Sequence, residues 1–87
     1  MTEDIENRRR KLVFRSWHRG TREMDLLIGS FAEKHVPQMG EAELEEFEEI
    51  LCEPDPDLYN WITGQTPAPA NKYGAIFQSL LKHRFIA

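Results

Sequence analysis

The residues best suited to recognition chemistry in this sequence surround a glycine, in the segment Arg19-Gly20-Thr21-Arg22-Glu23. Arginine and glutamate form charge-assisted hydrogen bonds with groups of opposite charge, and these are about twice as strong as neutral ones. Glycine reaches the left-handed backbone conformation that often ends a helix, and its lack of a side chain lets a partner approach closely. The segment therefore predicts a corner between two helices that binds another protein.

Helix dipoles offer a second explanation for the same charges. Arg15 and Arg19 fall at the negative end of one predicted helix, and Glu23 falls at the positive end of the next. Each such placement stabilises a helix by about 0.3–1 kcal/mol. The dipoles do not account for Arg22 beside a glycine, so the residues by themselves leave both interpretations open.

The sequence carries no recognisable catalytic or metal-binding pattern. His18, His35 and His83 stand apart from any second ligand at helical spacing, and Cys52 has no second thiol. A glycine-rich phosphate loop and a nucleophile elbow are also missing. We interpret the histidines as solvent-facing or boundary residues and Cys52 as a small core or boundary residue. The sequence thus predicts neither an enzyme nor a metal site.

Charge is distributed unevenly along the chain, whose net charge is -4. Residues 1–22 hold seven bases and three acids, whereas residues 33–57 hold ten acids and one lysine. The acidic helix is interpreted as a solvated face, and its glutamates are Glu41, Glu43, Glu45, Glu46, Glu48 and Glu49. The basic cluster favours an acidic partner surface, and its members are Arg8, Arg9, Arg10, Lys11 and Arg15. Nucleic acid remains an alternative partner for that cluster.

Eighty-seven residues with 40% apolar content predict one domain, covering residues 1–87, that folds around its own core. The single cysteine fits a reducing compartment, and the first residues lack the pattern of a targeting segment. The longest apolar runs have three residues, against the roughly 20 that span a bilayer. We therefore expect a complete cytoplasmic protein without membrane insertion.

Apolar spacings of three and four predict an all-α domain, a small five-helix bundle. The helices are expected at about residues 3–18, 22–35, 41–53, 56–63 and 72–84, with a linker at 65–70. The last helix follows this proline-containing linker and is expected to dock loosely.

Capping residues mark the predicted helix starts. Thr2, Asp55 and Asn71 are expected to be N-caps. Pro56 suits the first helical position after Asp55. Glu43 lies three residues after Gly40, in the arrangement of a capping box.

Two blocks of sequence resemble the succinate dehydrogenase assembly factor family, whose members promote flavinylation of the flavoprotein subunit. The first is Trp17, then Arg19-Gly20-x-x-Glu23-Met24-Asp25-Leu26-Leu27, then Gly29 and Phe31. The second is Asp55-Pro56-Asp57-Leu58-Tyr59-Asn60-Trp61. Arg-Gly-x-x-Glu alone is a weak signal, whereas both blocks about thirty residues apart are specific to the family.

The resemblance implies a five-helix chaperone that binds the flavoprotein subunit of succinate dehydrogenase, or of fumarate reductase, and promotes covalent attachment of its FAD. The resemblance further implies that a histidine of this client attacks the flavin, so the client supplies the reacting groups and the factor is not expected to be an enzyme. No cofactor is expected to be stably bound to the factor. Carried over to this sequence, Arg19, Gly20 and Glu23 form the client-binding surface, with Arg22 and Asp25 as neighbours. A monomer is expected.

The block from Asp55 to Trp61 is interpreted as mainly structural, and contacts from Asp57, Leu58 and Tyr59 to the client are left open. The alternative function is a small helical domain that binds nucleic acid, or some other protein, through its basic first helix.

Overall fold

The computed structural model describes residues 4–83 and places them in five α-helices, with no strand in that range. The helices are α1 (Ile5–Ser16), α2 (Arg22–His35), α3 (Glu41–Leu51), α4 (Asp55–Thr63) and α5 (Ala75–Lys82). A short 3-10 turn, Val36–Gln38, follows α2. The prediction of a small all-α bundle is confirmed. None of the helices in this range is long and apolar enough to cross a membrane.

One continuous core joins the helices through the apolar stripes that the sequence shows. Phe31 of α2 lies at its centre and packs against Phe47 of α3, with 5.7 Å between ring centroids. Leu12 of α1, Ile28 of α2 and Phe77 of α5 are also almost completely buried. Every helix thus contributes at least one face to the same core, which fixes the helices relative to one another.

Helices α1 and α2 approach closely where the Trp17 ring lies on Gly29. A methyl group added at Gly29 would lie only 2.6 Å from the indole carbon Cε2. The indole N–H donates a hydrogen bond of 3.0 Å to the Glu33 carboxylate, which fixes the ring in this position. A helix interior otherwise favours alanine over glycine by about 1 kcal/mol. The close approach of the ring therefore explains why a glycine stands here.

Helix α5 is anchored to α3, contrary to the expectation of loose docking. Phe77 and Leu80 are fully buried, and the Phe77 ring meets the edge of Trp61 at 5.9 Å. The Glu46 carboxylate accepts the backbone N–H groups of Gly74 and Phe77, each at 2.9 Å. It therefore caps the first turn of α5 from a neighbouring helix.

Glu53 makes a second polar connection to the segment before α5. Its carboxylate accepts hydrogen bonds from Lys72 at 2.7 Å and from the Tyr73 hydroxyl. These bonds, that of Lys72 first, hold the pKa of the Glu53 carboxyl below its usual range. Burial, together with Glu53, raises the pKa of Tyr73. The contacts of Glu53 with Lys72 and Tyr73 keep the segment before α5 close to the end of α3.

Two predicted N-caps differ from those observed. Asp55 is the first residue of α4 and Pro56 the second, so Pro54 takes the cap position; the Asp55 carboxylate binds Arg19. Gly74, rather than Asn71, precedes α5, where Glu46 supplies the capping oxygen.

The other predicted caps lie in α1 and α3. Asp4 caps α1 by accepting the Glu6 N–H, while the predicted cap Thr2 lies outside the described residues. The predicted arrangement at α3 is present, since Glu43 accepts the Gly40 N–H at 2.9 Å.

The acidic face of α3 is less uniformly solvated than the sequence indicates. Glu46 caps α5, and Glu48 accepts a hydrogen bond from Arg8 at 3.2 Å. Glu41, Glu45 and Glu49 are exposed. The interpretation as a solvated face is therefore wrong for the two glutamates that hold neighbouring helices.

Replacing Gly29 with alanine should reduce the free energy of unfolding by about 1–3 kcal/mol, because the new methyl group overlaps the Trp17 ring. Urea denaturation measures the change. Trp17→Ala supplies the control background, because the same change at Gly29 should no longer lower stability once the indole ring is absent. Equal stability of Gly29→Ala and the wild type would show that the ring does not require a glycine.

Replacing Glu46 with alanine should weaken α5 by about 0.5–2 kcal/mol, the usual effect of losing an N-cap. Amide hydrogen exchange should therefore accelerate in α5, at Phe77 above all. Glu45→Ala removes an exposed carboxylate from the same helix and serves as the control. Unchanged protection of α5 in the Glu46 variant would contradict a capping role.

Candidate functional site

Residues 19–25, which we call the corner, connect α1 to α2 in a conformation that requires Gly20. This glycine has a φ of +126°, a region that other residues rarely adopt. The Asp25 carboxylate accepts the backbone N–H groups of Arg19 at 2.5 Å and Gly20 at 3.4 Å. Thr21 caps α2 by accepting the Met24 N–H. The corner is therefore fixed by its own side chains.

The Arg19 side chain turns inward and binds the connection between α3 and α4. Two of its guanidinium nitrogens donate to the same Asp55 oxygen, at 2.9 and 2.6 Å. The third nitrogen, Nη1, donates to the Leu51 carbonyl at 2.8 Å, and Nη2, one of the two that bind Asp55, also donates to the Glu53 carbonyl at 3.2 Å. The Arg19 side chain is only 11% exposed. Its donors therefore stabilise the fold and are engaged before any partner arrives.

Arg22 and Glu23 lie at the solvent-exposed surface of the corner. Both are exposed, and neither side chain forms a hydrogen bond or an ion pair with another residue between 4 and 83. Glu23 occupies the first turn of α2, where a negative charge interacts favourably with the helix dipole. A single favourable dipole interaction leaves the carboxylate oxygens available to a partner.

A cleft of about 400 Å³ opens beside Glu23, between the start of α2 and the start of α4. It is lined by Thr21, Glu23, Met24, Asp55, Pro56 and Tyr59. Tyr59 is 36% exposed, although it follows the fully buried Leu58 on α4. Its ring therefore presents a large apolar surface with a polar tip next to a free carboxylate.

The structure brings the two recognised sequence blocks together at this cleft. Arg19 binds Asp55 across 36 positions of sequence, and Glu23 and Tyr59 line the same cavity. The sequence analysis left a contact from Tyr59 open, and the structure places the residue at the surface beside the corner. The position of Tyr59 within the second block was the sequence signal for a contact with the client. The exposure of its side chain could not be inferred from helical spacing.

The histidines and the cysteine form no site with one another. His35 packs on Phe31, and its pKa is lowered by burial and by Lys34. His83 bonds to Ser30 at 2.8 Å. Cys52 is exposed, so its interpretation as a core or boundary residue is wrong. Within residues 4–83, no group of three or more histidine, cysteine or acidic residues could hold a metal ion.

Comparison with known proteins gives consistent matches. Residues 10–84 match the family described as flavinator of succinate dehydrogenase (Sdh5). A protein of Acetobacter pasteurianus named FAD assembly factor SdhE is 46% identical over 70 residues, covering 80% of this chain and 64% of that protein. The mitochondrial succinate dehydrogenase assembly factor 2 of Dictyostelium discoideum is 41% identical over 66 residues, covering 76% and 47%.

A longer match extends to a fungal relative. The mitochondrial succinate dehydrogenase assembly factor 2 of Mycosarcoma maydis is 38% identical over 88 residues, covering 99% of this chain and 37% of that protein. The chain thus spans less than two thirds of the length of each of these three relatives.

Replacing Arg19 with lysine should destabilise the protein by about 1.5–3 kcal/mol, the range measured for hydrogen bonds to charged groups. Lysine keeps the charge but cannot reproduce the fork that reaches Asp55 and two carbonyls at once. Chemical denaturation measures the change, with Arg22→Lys as the exposed control. Wild-type stability of the Arg19 variant would show that these bonds contribute little.

Proposed function

Because this chain belongs to the family of succinate dehydrogenase flavinators, we propose that it is an assembly factor that binds the flavoprotein subunit of succinate dehydrogenase, or of fumarate reductase, and promotes covalent attachment of FAD to it. The observation that carries this proposal is the unpaired Glu23 carboxylate at the cleft between α2 and α4. The reacting groups belong to the client, and this chain acts by binding and orientation, without catalysing the bond formation itself.

The corner divides its charged residues between two tasks. Arg19 and Asp25 hold the backbone, since their side chains are engaged within the chain. Arg22 and Glu23 face solvent and can form charge-assisted hydrogen bonds with the client. A fixed backbone carrying free charges loses little conformational entropy on binding, so more of the contact energy remains to orient the client.

Gly20 contributes in two ways. A Cβ at this position would find only an Asp55 oxygen, 4.0 Å away, so the surface there is open to a partner. The φ of +126° also strains any other residue, by about 1–3 kcal/mol. A substitution at Gly20 therefore changes stability and client contact together, which makes Glu23 the cleaner residue to test.

Tyr59 supplies the apolar part of the same surface. Tyrosine is enriched among the residues that contribute most to protein–protein binding, because its ring buries a large area and its hydroxyl can pair at the rim. Asp57 is exposed in the first turn of α4, and Asp55 remains fixed by Arg19. We expect the client to present a basic group to Glu23 and an apolar recess to Tyr59.

Replacing Glu23 with glutamine should abolish most client flavinylation and leave the free energy of unfolding within about 1 kcal/mol of wild type, because the side chain is exposed. The chain and the flavoprotein subunit are co-expressed in cells that lack their own factor, and covalent flavin is measured by in-gel fluorescence. Glu45→Gln makes the same chemical change on the exposed face of α3 and should retain full activity.

The outcomes of this experiment test the proposed function and the role of Glu23 separately. No covalent flavin above the empty-vector level with the wild-type chain would refute the proposed function. Full flavinylation by the Glu23 variant would retain the function and remove Glu23 from the site.

A further inference from the structure

The structure divides the four arginines of the basic cluster of α1 into an internal pair and an external pair. Arg8 binds Glu48 of α3, and Arg9 donates two hydrogen bonds to the Met39 carbonyl at 2.7 and 3.1 Å. Arg10 and Arg15 are exposed, and no ion pair within residues 4–83 involves either of them. The first pair stabilises the bundle, so the second pair is available for another role.

Phe14 lies between these external arginines and is the most exposed large apolar residue in the described range, at 64%. Its ring stacks on His18 with centroids 4.1 Å apart, while the His18 ring nitrogen Nδ1 contacts the Phe14 carbonyl at 2.7 Å. Single exposed apolar residues are common and need no explanation. This one differs because its side chain stacks on His18 and lines the same depression as three basic residues.

The cations and the phenylalanine form one shallow depression of about 360 Å³ on the outer side of α1. Among residues 4–83 its lining consists of Arg10, Lys11, Phe14 and Arg15, so no carboxylate of this range lines it, and most of its surface is apolar. The chain as a whole carries a net charge of -4, so this surface has the opposite sign from most of the molecule. An aromatic anchor with a basic rim has the composition of a binding surface for an acidic partner.

We propose that this face of α1 is a second docking surface, which binds an acidic strip of the flavoprotein client that offers an apolar socket to Phe14. The inference rests on the proposed function. The charge of the rim selects an acidic strip, since Arg10 and Arg15, which form no ion pair with another residue between 4 and 83, would repel a basic one. The aromatic ring selects a strip with a recess, because an apolar group gains only when it leaves water.

The same client is inferred because the face adjoins the corner along the chain. His18, on which Phe14 stacks, directly precedes Arg19. A stable interface uses about 20–30 residues a side, far more than line the cleft at Glu23. A client that contacts both surfaces covers more of this chain than one that contacts the cleft alone. The two contacts reinforce each other because both belong to one domain.

The test measures the dissociation constant of the purified chain and the flavoprotein subunit of succinate dehydrogenase by biolayer interferometry. Phe14→Ala should weaken binding about tenfold or more, as expected for an exposed aromatic that becomes buried at an interface. A double variant, Arg10→Glu with Arg15→Glu, should weaken it at least as much, and chiefly at low salt. Lys34→Glu with Lys82→Glu makes the same charge change on exposed residues elsewhere and is the control.

The results distinguish this inference from the proposed function. Tight binding by the wild type and the control, with weakening in both α1 variants, supports the second surface. Equal binding by all four proteins overturns it while the proposed function stands. Absence of binding by the wild type overturns the proposed function as well.

Two further readouts exclude other occupants of the surface. Wild-type binding to a single-stranded oligonucleotide that is lost in Phe14→Ala would overturn the proposal in favour of nucleic acid. Wild-type dimerisation in sedimentation experiments that is lost in the same variant would assign the surface to self-association and overturn the proposal too. A monomeric chain that does not bind the oligonucleotide supports it.

Discussion

The hydrogen bonds of Arg19 are the constraint on which the candidate site depends. One side chain joins the end of α1 to the connection between α3 and α4, where it binds Asp55 and two carbonyl groups. This arrangement sets the start of α2 beside the start of α4, and the cleft between them forms there. Without it, Glu23 and Tyr59 would belong to helices whose relative position is fixed only by apolar packing, which is less directional than a forked hydrogen bond.

Polar connections of this kind recur throughout the bundle. Glu46 caps α5, Glu48 holds Arg8, and Glu53 binds the segment that precedes α5. A domain of this size buries a smaller fraction of its surface than a large one, so its core leaves a modest margin of stability. Specific polar contacts between helices add to that margin, and they also fix the register of each helix against its neighbour. The function proposed for the chain needs such rigidity, because a factor can orient a client only if its own binding groups are held in fixed positions.

The sequence predicted the helices well because an apolar stripe at spacings of three and four has one simple physical solution, a helix with that face in the core. Met24, Leu27, Ile28 and Phe31 gave α2 in this way, and the structure buries all of them at least partly. Charged residues were harder to predict, since a glutamate on a solvated face and one that caps another helix have the same local pattern. Glu46 and Arg19 were both assigned to surfaces, yet both bind groups 28 or more positions away.

The sequence by itself determined the all-α class, the glycine corner between the first two helices, and the two blocks that identify the family. Each of these depends on local spacing or on residue identity, which are present in the unfolded chain. Tertiary structure decided which charges are free. It turned Arg19 inward and left Glu23 outside, and it divided the arginines of α1 into an internal and an external pair. A charge becomes a binding group only when the fold gives it no partner of its own, and long-range packing alone decides that.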